Sequence, residues 1–338
     1  MYYNVESINL RSNYENNEVR KFLEKFSLKY EDVDYTVVIR ENNDIIATCS
    51  KKENILKCFA INENYQGLGL SNNLISKVTE QLFLEGKYHS FIFTKPENQF
   101  LFEGLGYKNI FTTDKVSLLE SGNKNINSSL DKLKNDYKID GNKEYAALVM
   151  NCNPFTLGHR YIVEIAAKEN ENVIIFVVEE DKSAFTFETR FKLIREGTKD
   201  LKNVTIIPAG EYVISSATFP NYFLKKNDDE LKEYTKLDCN VFGKYFVEKF
   251  NIKRRYVGTE PHCKVTNTYN ISMQEILPKY NVEVKLINRK KLQNDAISAS
   301  KVRKLLKEGH IEKVKNLLPR ASFDFLLSKE GELVINRL

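Results

Sequence analysis

Nowhere does the chain carry an apolar run approaching the ~18 residues that a membrane span needs. Its opening segment, Met1 to Leu10, also lacks the apolar centre of a secretory signal, so a cytoplasmic location is the expectation. Cysteine is scarce. The five present, Cys49, Cys58, Cys152, Cys239 and Cys263, are odd in number and scattered, with no C-x-x-C pair, which excludes a disulfide framework and a redox couple. His262 and Cys263 are adjacent instead of being spaced as zinc ligands are, which argues against a zinc site there. Charge of one sign is lacking too: 51 Lys and Arg against 46 Asp and Glu leave a formal net charge of +5. Because the basic residues are interleaved with acidic ones, a nucleic-acid interface is not expected, although the small excess suits a polyanion such as a nucleoside triphosphate. No repeat of fixed period is visible, so a solenoid is excluded.

What is present suits an ordinary globular chain, with 42% hydrophobic and 29% charged residues, enough for a sizeable core. A length of 338 residues predicts about two domains. The stretch from Glu120 to Glu144 is rich in Asn, Lys, Ser and Asp, and it sets the expected boundary: a first domain over 1–120, a polar linker over 121–143 and a second domain over 144–338. Within the linker Leu130, Leu133 and Tyr137 have helical spacing.

The first domain reads as strands at Tyr35–Arg40, Ile45–Cys49 and Leu56–Ile61, followed by a helix whose apolar stripe is Leu70, Leu74, Ile75, Val78 and Leu82. The glycines of Gln66-Gly67-Leu68-Gly69-Leu70-Ser71 precede that helix and leave amides free at its positive end, a pattern that suits pyrophosphate. Farther on, Phe91–Thr94 is a strand, and Phe102–Tyr107 a helix ending in a glycine turn. These two segments resemble the GNAT acetyltransferase fold. The resemblance implies an α+β domain in which Gln66, Gly67, Gly69 and Ser71 form an acyl-CoA or carrier-arm loop. Glu63 and His89 are candidates for a general base by residue type alone.

The second domain opens on Tyr145–Met150, a short apolar run that suits a buried parallel strand. Next comes Asn151-Cys-Asn153-Pro-Phe155-Thr156-Leu-Gly158-His159, then an amphipathic helix through Ile162 and Ile165 and a second strand at Val173–Val178. A histidine at a helix start sits where amides and the macrodipole already favour phosphate, so His159 is the candidate for stabilising an α-phosphate under attack. Thr156 adds a hydroxyl, and Gly158 lets a nucleotide come close. A second motif, Ile297-Ser298-Ala-Ser300-Lys-Val-Arg303, follows a strand at about Val282–Ile287 and opens a helix. Ser298 or Ser300 is a good N-cap, and the same hydroxyls, amides and cations would hold outer phosphates.

Together the two motifs resemble the HIGH-type nucleotidylyltransferase superfamily, which implies a Rossmann-like parallel sheet, release of pyrophosphate from ATP, and magnesium arriving with the nucleotide. Thr156 stands where many members have a first histidine, as it does in phosphopantetheine adenylyltransferases. With Phe176–Asp181, Glu211–Pro220 and Val257-Gly258-Thr259-Glu260-Pro261 included, the whole chain resembles the citrate lyase ligase family.

That resemblance implies an AMP-forming acid–thiol ligase. Acetate would be activated by ATP as acetyl adenylate and passed to the thiol of the phosphoribosyl dephospho-coenzyme A arm on the citrate lyase acyl carrier protein. His159, Thr156 and Lys182 would be catalytic, and Asn153, Phe155, Gly158, Gly258, Glu260, Ser298, Ser300 and Arg303 would bind ATP. Arg190, on a helix marked by Phe187, Phe191 and Ile194, reads as an ordinary polar-face residue. The alternative is an adenylyltransferase acting on a phosphopantetheine-like acceptor. A binding protein with an inert second domain is opposed by the intact Gly158-His159 and Ser298/Ser300 pairs.

Overall fold

The structure is a computed structural model that describes residues 3–179, 183–213, 227–259, 264–293 and 295–338. The chain forms two compact units, Met1–Ile126 with Thr218–Leu237, and Asn127–Ala217 with Asp238–Leu338.

The first unit runs β1 (Val5–Ser7), α1 (Asn13–Glu24), β2 (Tyr35–Glu41), β3 (Asp44–Lys52), β4 (Ile55–Ile61), α2 (Leu70–Leu84), β5 (His89–Thr94), α3 (Gln99–Gly104), β6 (Lys108–Thr112) and β7 (Ser117–Gly122). Its seven strands lie in the order β1-β2-β3-β4-β5-β7-β6. All neighbours are antiparallel except β4 and β5, which are parallel and pair only at Ile55–Phe91 and Leu56–Ile92, so they part beyond Leu56. The stripe Leu70, Leu74, Ile75, Val78 and Leu82 buries α2 against Val37, Ile39, Ala47, Leu56 and Ile92. Residues 121–143, expected as a polar linker, hold the end of β7 and a helix, α4 (Ile126–Asp136), anchored by buried Ile126 and Leu130.

The second unit continues with β8 (Tyr145–Met150), α5 (Leu157–Glu169), β9 (Val173–Val177), α6 (Phe187–Gly197) and β10 (Val204–Pro208); α7 (Asn227–Val241) follows, its residues up to Leu237 grouping with the first unit. The α7 helix passes through a π-helical stretch, Phe242–Phe246, into α8 (Val247–Phe250). Then come β11 (Ile252–Gly258), α9 (Lys264–Ile276), β12 (Glu283–Ile287), the small hairpin β13 (Lys291–Leu292) and β14 (Asp295–Ala296), α10 (Ala299–Lys307), α11 (Ile311–Val314), α12 (Arg320–Leu326) and α13 (Lys329–Ile335).

The sheet is all parallel, in the order β10-β9-β8-β11-β12. Near-continuous apolar strands explain this, because helices cover both faces and both sides of each strand must be buried. On one face Leu148, Met150, Ile175 and Val177 join Val163, Val302, Leu306, Phe323 and Val334. On the other, Phe176 meets Phe242, Phe246 and Phe250 edge-on, with centroids 6.0, 5.5 and 5.3 Å away. The strand order reverses beside β8, and in open α/β sheets the crevice at the carboxyl ends of the strands there receives ligands. No helix among the described residues is long and apolar enough to cross a membrane.

Candidate functional site

At the carboxyl end of β8 the chain turns through the cis Asn153–Pro154 peptide into α5, which Thr156 caps from extended backbone. Thr156 Oγ1 accepts the His159 amide hydrogen at 3.3 Å. In return the Thr156 amide donates to His159 Nδ1 at 3.1 Å. A backbone N–H can only donate, so Nδ1 must be the acceptor and the ring proton sits on Nε2. This is a capping box in which histidine fills the place usually taken by Glu or Gln. Enclosure of the imidazole, with the nearby charge of Arg289 second, depresses its pKa to about 4. His159 is therefore a neutral hydrogen-bond donor at physiological pH.

The ring lies parallel to Phe155, with centroids 6.1 Å apart and planes 10° apart. Phe155 itself is fully buried. Its side chain backs the histidine. A Cβ on Gly158 would sit 2.7 Å from the Ile297 carbonyl oxygen, so the missing side chain makes room for the second motif. Asn153 joins the same seam. Its carbonyl accepts from Arg303 Nη1, and its Oδ1 accepts the Phe185 amide hydrogen at 3.1 Å.

Ser298 caps α10, with Oγ accepting the Lys301 amide hydrogen at 3.2 Å. Ser300 is exposed on the first turn of that helix. Gly258 ends β11, where a Cβ would meet Ile162 Cδ1 of α5 at 2.9 Å, so this glycine serves strand-to-helix packing. The structure thus brings Asn153, Phe155, Thr156, Gly158, His159, Ser298 and Arg303 to one seam at the carboxyl edge of the sheet. Lys182, Glu260 and the Ser215–Pro220 part of the Glu211–Pro220 segment lie outside the described residues.

Two arginines in this region were not among the expected site residues. Arg190 is fully buried, contrary to its reading as a polar-face residue. Its Nη1 donates to the carbonyls of Asn151 at 2.8 Å and Val178 at 2.7 Å, and its Nε donates to Phe185 at 3.1 Å. One guanidinium therefore ties together the turns that follow β8 and β9. Arg289, two residues beyond β12, donates from Nε to the Thr259 carbonyl at 2.8 Å and is half-buried. Desolvation holds the pKa values of both Arg289 and Arg303 below the usual arginine value. Its place just past a strand end, at the ligand edge, was the available signal.

In the first unit Gln66, Gly67 and Gly69 lie on an exposed loop, with both glycines at positive φ (78° and 76°), and the loop leads into α2, whose second residue is Ser71. Only glycine takes such a backbone without strain. His89 is corrected as a general-base candidate: it is buried, with Nε2 2.9 Å from Glu120 Oε2, while Glu120 Oε1 accepts the Ile126 amide hydrogen at 3.0 Å. Glu63 is exposed in a short turn.

A parallel sheet that reverses order beside β8, with a threonine–histidine capping box on one side of the crevice and a serine-capped helix on the other, defines an open α/β ligand-binding domain, which follows an α+β domain in the chain. The family model for the citrate lyase ligase C-terminal domain matches residues 145–326. The chain is 36% identical to [citrate [pro-3S]-lyase] ligase of Haemophilus influenzae, over 91% of this chain and 94% of that one. It is 34% identical to the Klebsiella pneumoniae enzyme of the same name, over 91% and 92%. A shorter likeness, 34% identity over 19% of this chain and 41% of the other, links it to phosphopantetheine adenylyltransferase of Symbiobacterium thermophilum. The chain belongs to the citrate lyase ligase family.

Proposed function

We propose that this chain acetylates citrate lyase, using ATP and acetate and releasing AMP and pyrophosphate. An acetate oxygen attacks the α-phosphorus, the bond from that phosphorus to the β-phosphate oxygen breaks, and pyrophosphate leaves with the bonding pair. The thiol of the carrier arm then attacks the acetyl carbonyl, a thioester forms, AMP departs, and the thiol proton passes to solvent. The observation that carries this reading is the locked tautomer of His159. With Nδ1 occupied by the Thr156 amide, Nε2–H is the donor for a non-bridging α-phosphate oxygen, and the transfer needs positioning and charge stabilisation rather than a covalent intermediate. Ser298 and Arg303 are assigned to the outer phosphates and Lys182 to the same charge.

Magnesium enters as part of the MgATP substrate. Among the described residues no three metal-ligating side chains cluster, and a magnesium ion held mainly by phosphate and water needs no such cage. The exposed Gln66–Ser71 loop is assigned to the carrier arm or an acyl-CoA.

The test is product analysis with MgATP, acetate and deacetylated citrate lyase carrier, following AMP, pyrophosphate and carrier mass. AMP release and an acetyl mass gain, both requiring acetate, are expected. Pyrophosphate released without acetate, with an adenylyl group added to the acceptor, would replace this reading with an adenylyltransferase.

A further inference from the structure

Arg289 occupies a position that the motifs do not announce. Just past β12, the Thr259 amide donates to the Ile287 carbonyl at 2.9 Å, and Arg289 Nε returns a bond to the Thr259 carbonyl at 2.8 Å. The next residue, Lys290, accepts from the Ile297 amide at 3.0 Å. Ile297 is in turn the residue whose carbonyl lies where a Cβ on Gly158 would fall. A short chain of contacts therefore runs from Arg289 through Ile297 to the first turn of α5, where His159 sits.

The guanidinium is fixed at Nε, half-buried, and near enough for its charge to act on the His159 ring. Neutral His159 donates a hydrogen bond but supplies no charge. Arg303 is drawn to the Asn153 carbonyl. A triphosphate under attack gathers negative charge that a planar, permanently charged fork is shaped to receive.

We propose that Arg289 is a catalytic residue that contacts the phosphoryl oxygens of the nucleoside triphosphate from its place at the carboxyl end of β11. The inference rests on the nucleotide-activating reading above and adds to it the charge that His159 lacks. The competing role is a purely structural clamp on Thr259, and the two roles separate cleanly. Lysine at 289 keeps the charge but loses the Nε bond, whereas methionine loses both.

The experiment measures MgATP binding by calorimetry on the full chain, kcat in the acetate-dependent reaction, and thermal unfolding, for the wild type, Arg289→Met and Arg289→Lys. Arg289→Met is expected to weaken MgATP binding at least ~10-fold and lower kcat about 100-fold, the scale of losing one charge-stabilising donor. Arg289→Lys should recover most of the binding. His159, followed by NMR, should titrate at higher pH in Arg289→Met once the neighbouring charge is gone. If Arg289→Met fails to fold, the comparison of Arg289→Lys with wild type carries the test, because a clamp predicts that lysine fails too. A wild-type chain that binds no MgATP overturns the nucleotide reading and this inference with it. A wild type that binds while Arg289→Met binds equally well, or an Arg289→Lys variant as impaired as Arg289→Met, overturns this inference alone.

Discussion

Replacing Gly158 by alanine asks whether the two motif turns are held apart by nothing more than a hydrogen atom. An ideal Cβ would lie 2.7 Å from the Ile297 carbonyl oxygen and 3.4 Å from Thr156 Oγ1. Restoring ordinary contact requires Ile297 to retreat by about 0.7 Å. That retreat is resisted, since the Ile297 amide is bonded to Lys290 and its side chain is buried in the core. Overpacking of this kind costs about 1–3 kcal/mol. In a unit of this size that lowers Tm by roughly 5 °C. The displaced carbonyl directly precedes the Ser298 cap, so α10 shifts relative to His159, and a misplacement approaching 1 Å lowers turnover by about 100-fold. Thermal unfolding and initial rates on the purified variant check both numbers. Wild-type Tm and wild-type turnover would refute the close-contact argument. Weaker ATP binding with an unchanged Tm would mean instead that the glycine clears space for the nucleotide.

Two further perturbations test the surroundings of the same seam. With a folded pKa of about 4 against an ordinary 6.5, His159 should stay neutral as pH falls until about pH 4. The unfolded chain takes up that proton first, so the stabilising contribution is complete above about pH 6.5 and is lost as pH falls toward 4, a change of at most about 3 kcal/mol. NMR titration of the ring and urea unfolding of His159→Gln across that window check this, and a ring titrating near 6.5 would contradict it. Arg190→Met should lower the urea midpoint strongly, because the carbonyls of Asn151, Val178 and Phe185 lose their charged donor, at a cost of about 3–5 kcal/mol. Arg190→Lys should not rescue it, since an ammonium does not reproduce the fork. An unchanged midpoint in either variant would remove the clamp from the account.

Much of the fold could be read because its signals are local. The apolar stripe of α2 marks a helix by spacing alone, and the runs at Tyr145–Met150 and Val173–Val177 are too short and too apolar for anything but buried strands. Residues 227–237 resist such reading. They group with the first unit although the chain around them has long since entered the second, and no local pattern records which partner a helix will choose. The 117–122 strand was hidden for a related reason: polar residues surround it and only Leu118 and Leu119 bury it, whereas the spacing of Leu130, Leu133 and Tyr137 did announce the helix that follows.

In the site, the same division separates the caps from the contacts that give them meaning. Thr156 and Ser298 announce helix starts because capping involves residues only three apart. A glycine announces only that something comes close, and what comes close to Gly158 is a carbonyl from the far end of the domain. Arg190 shows the stronger form of this limit. On a helical wheel it falls on the buried side with Leu193, Ile194 and Gly197, but nothing local records that two turns and a loop present carbonyls there that need a donor. The Arg303–Asn153 bond joins residues 150 positions apart and makes the two motifs one device. A loss at either motif should therefore be felt at the other, and double variants across this seam should fall short of the sum of their single effects.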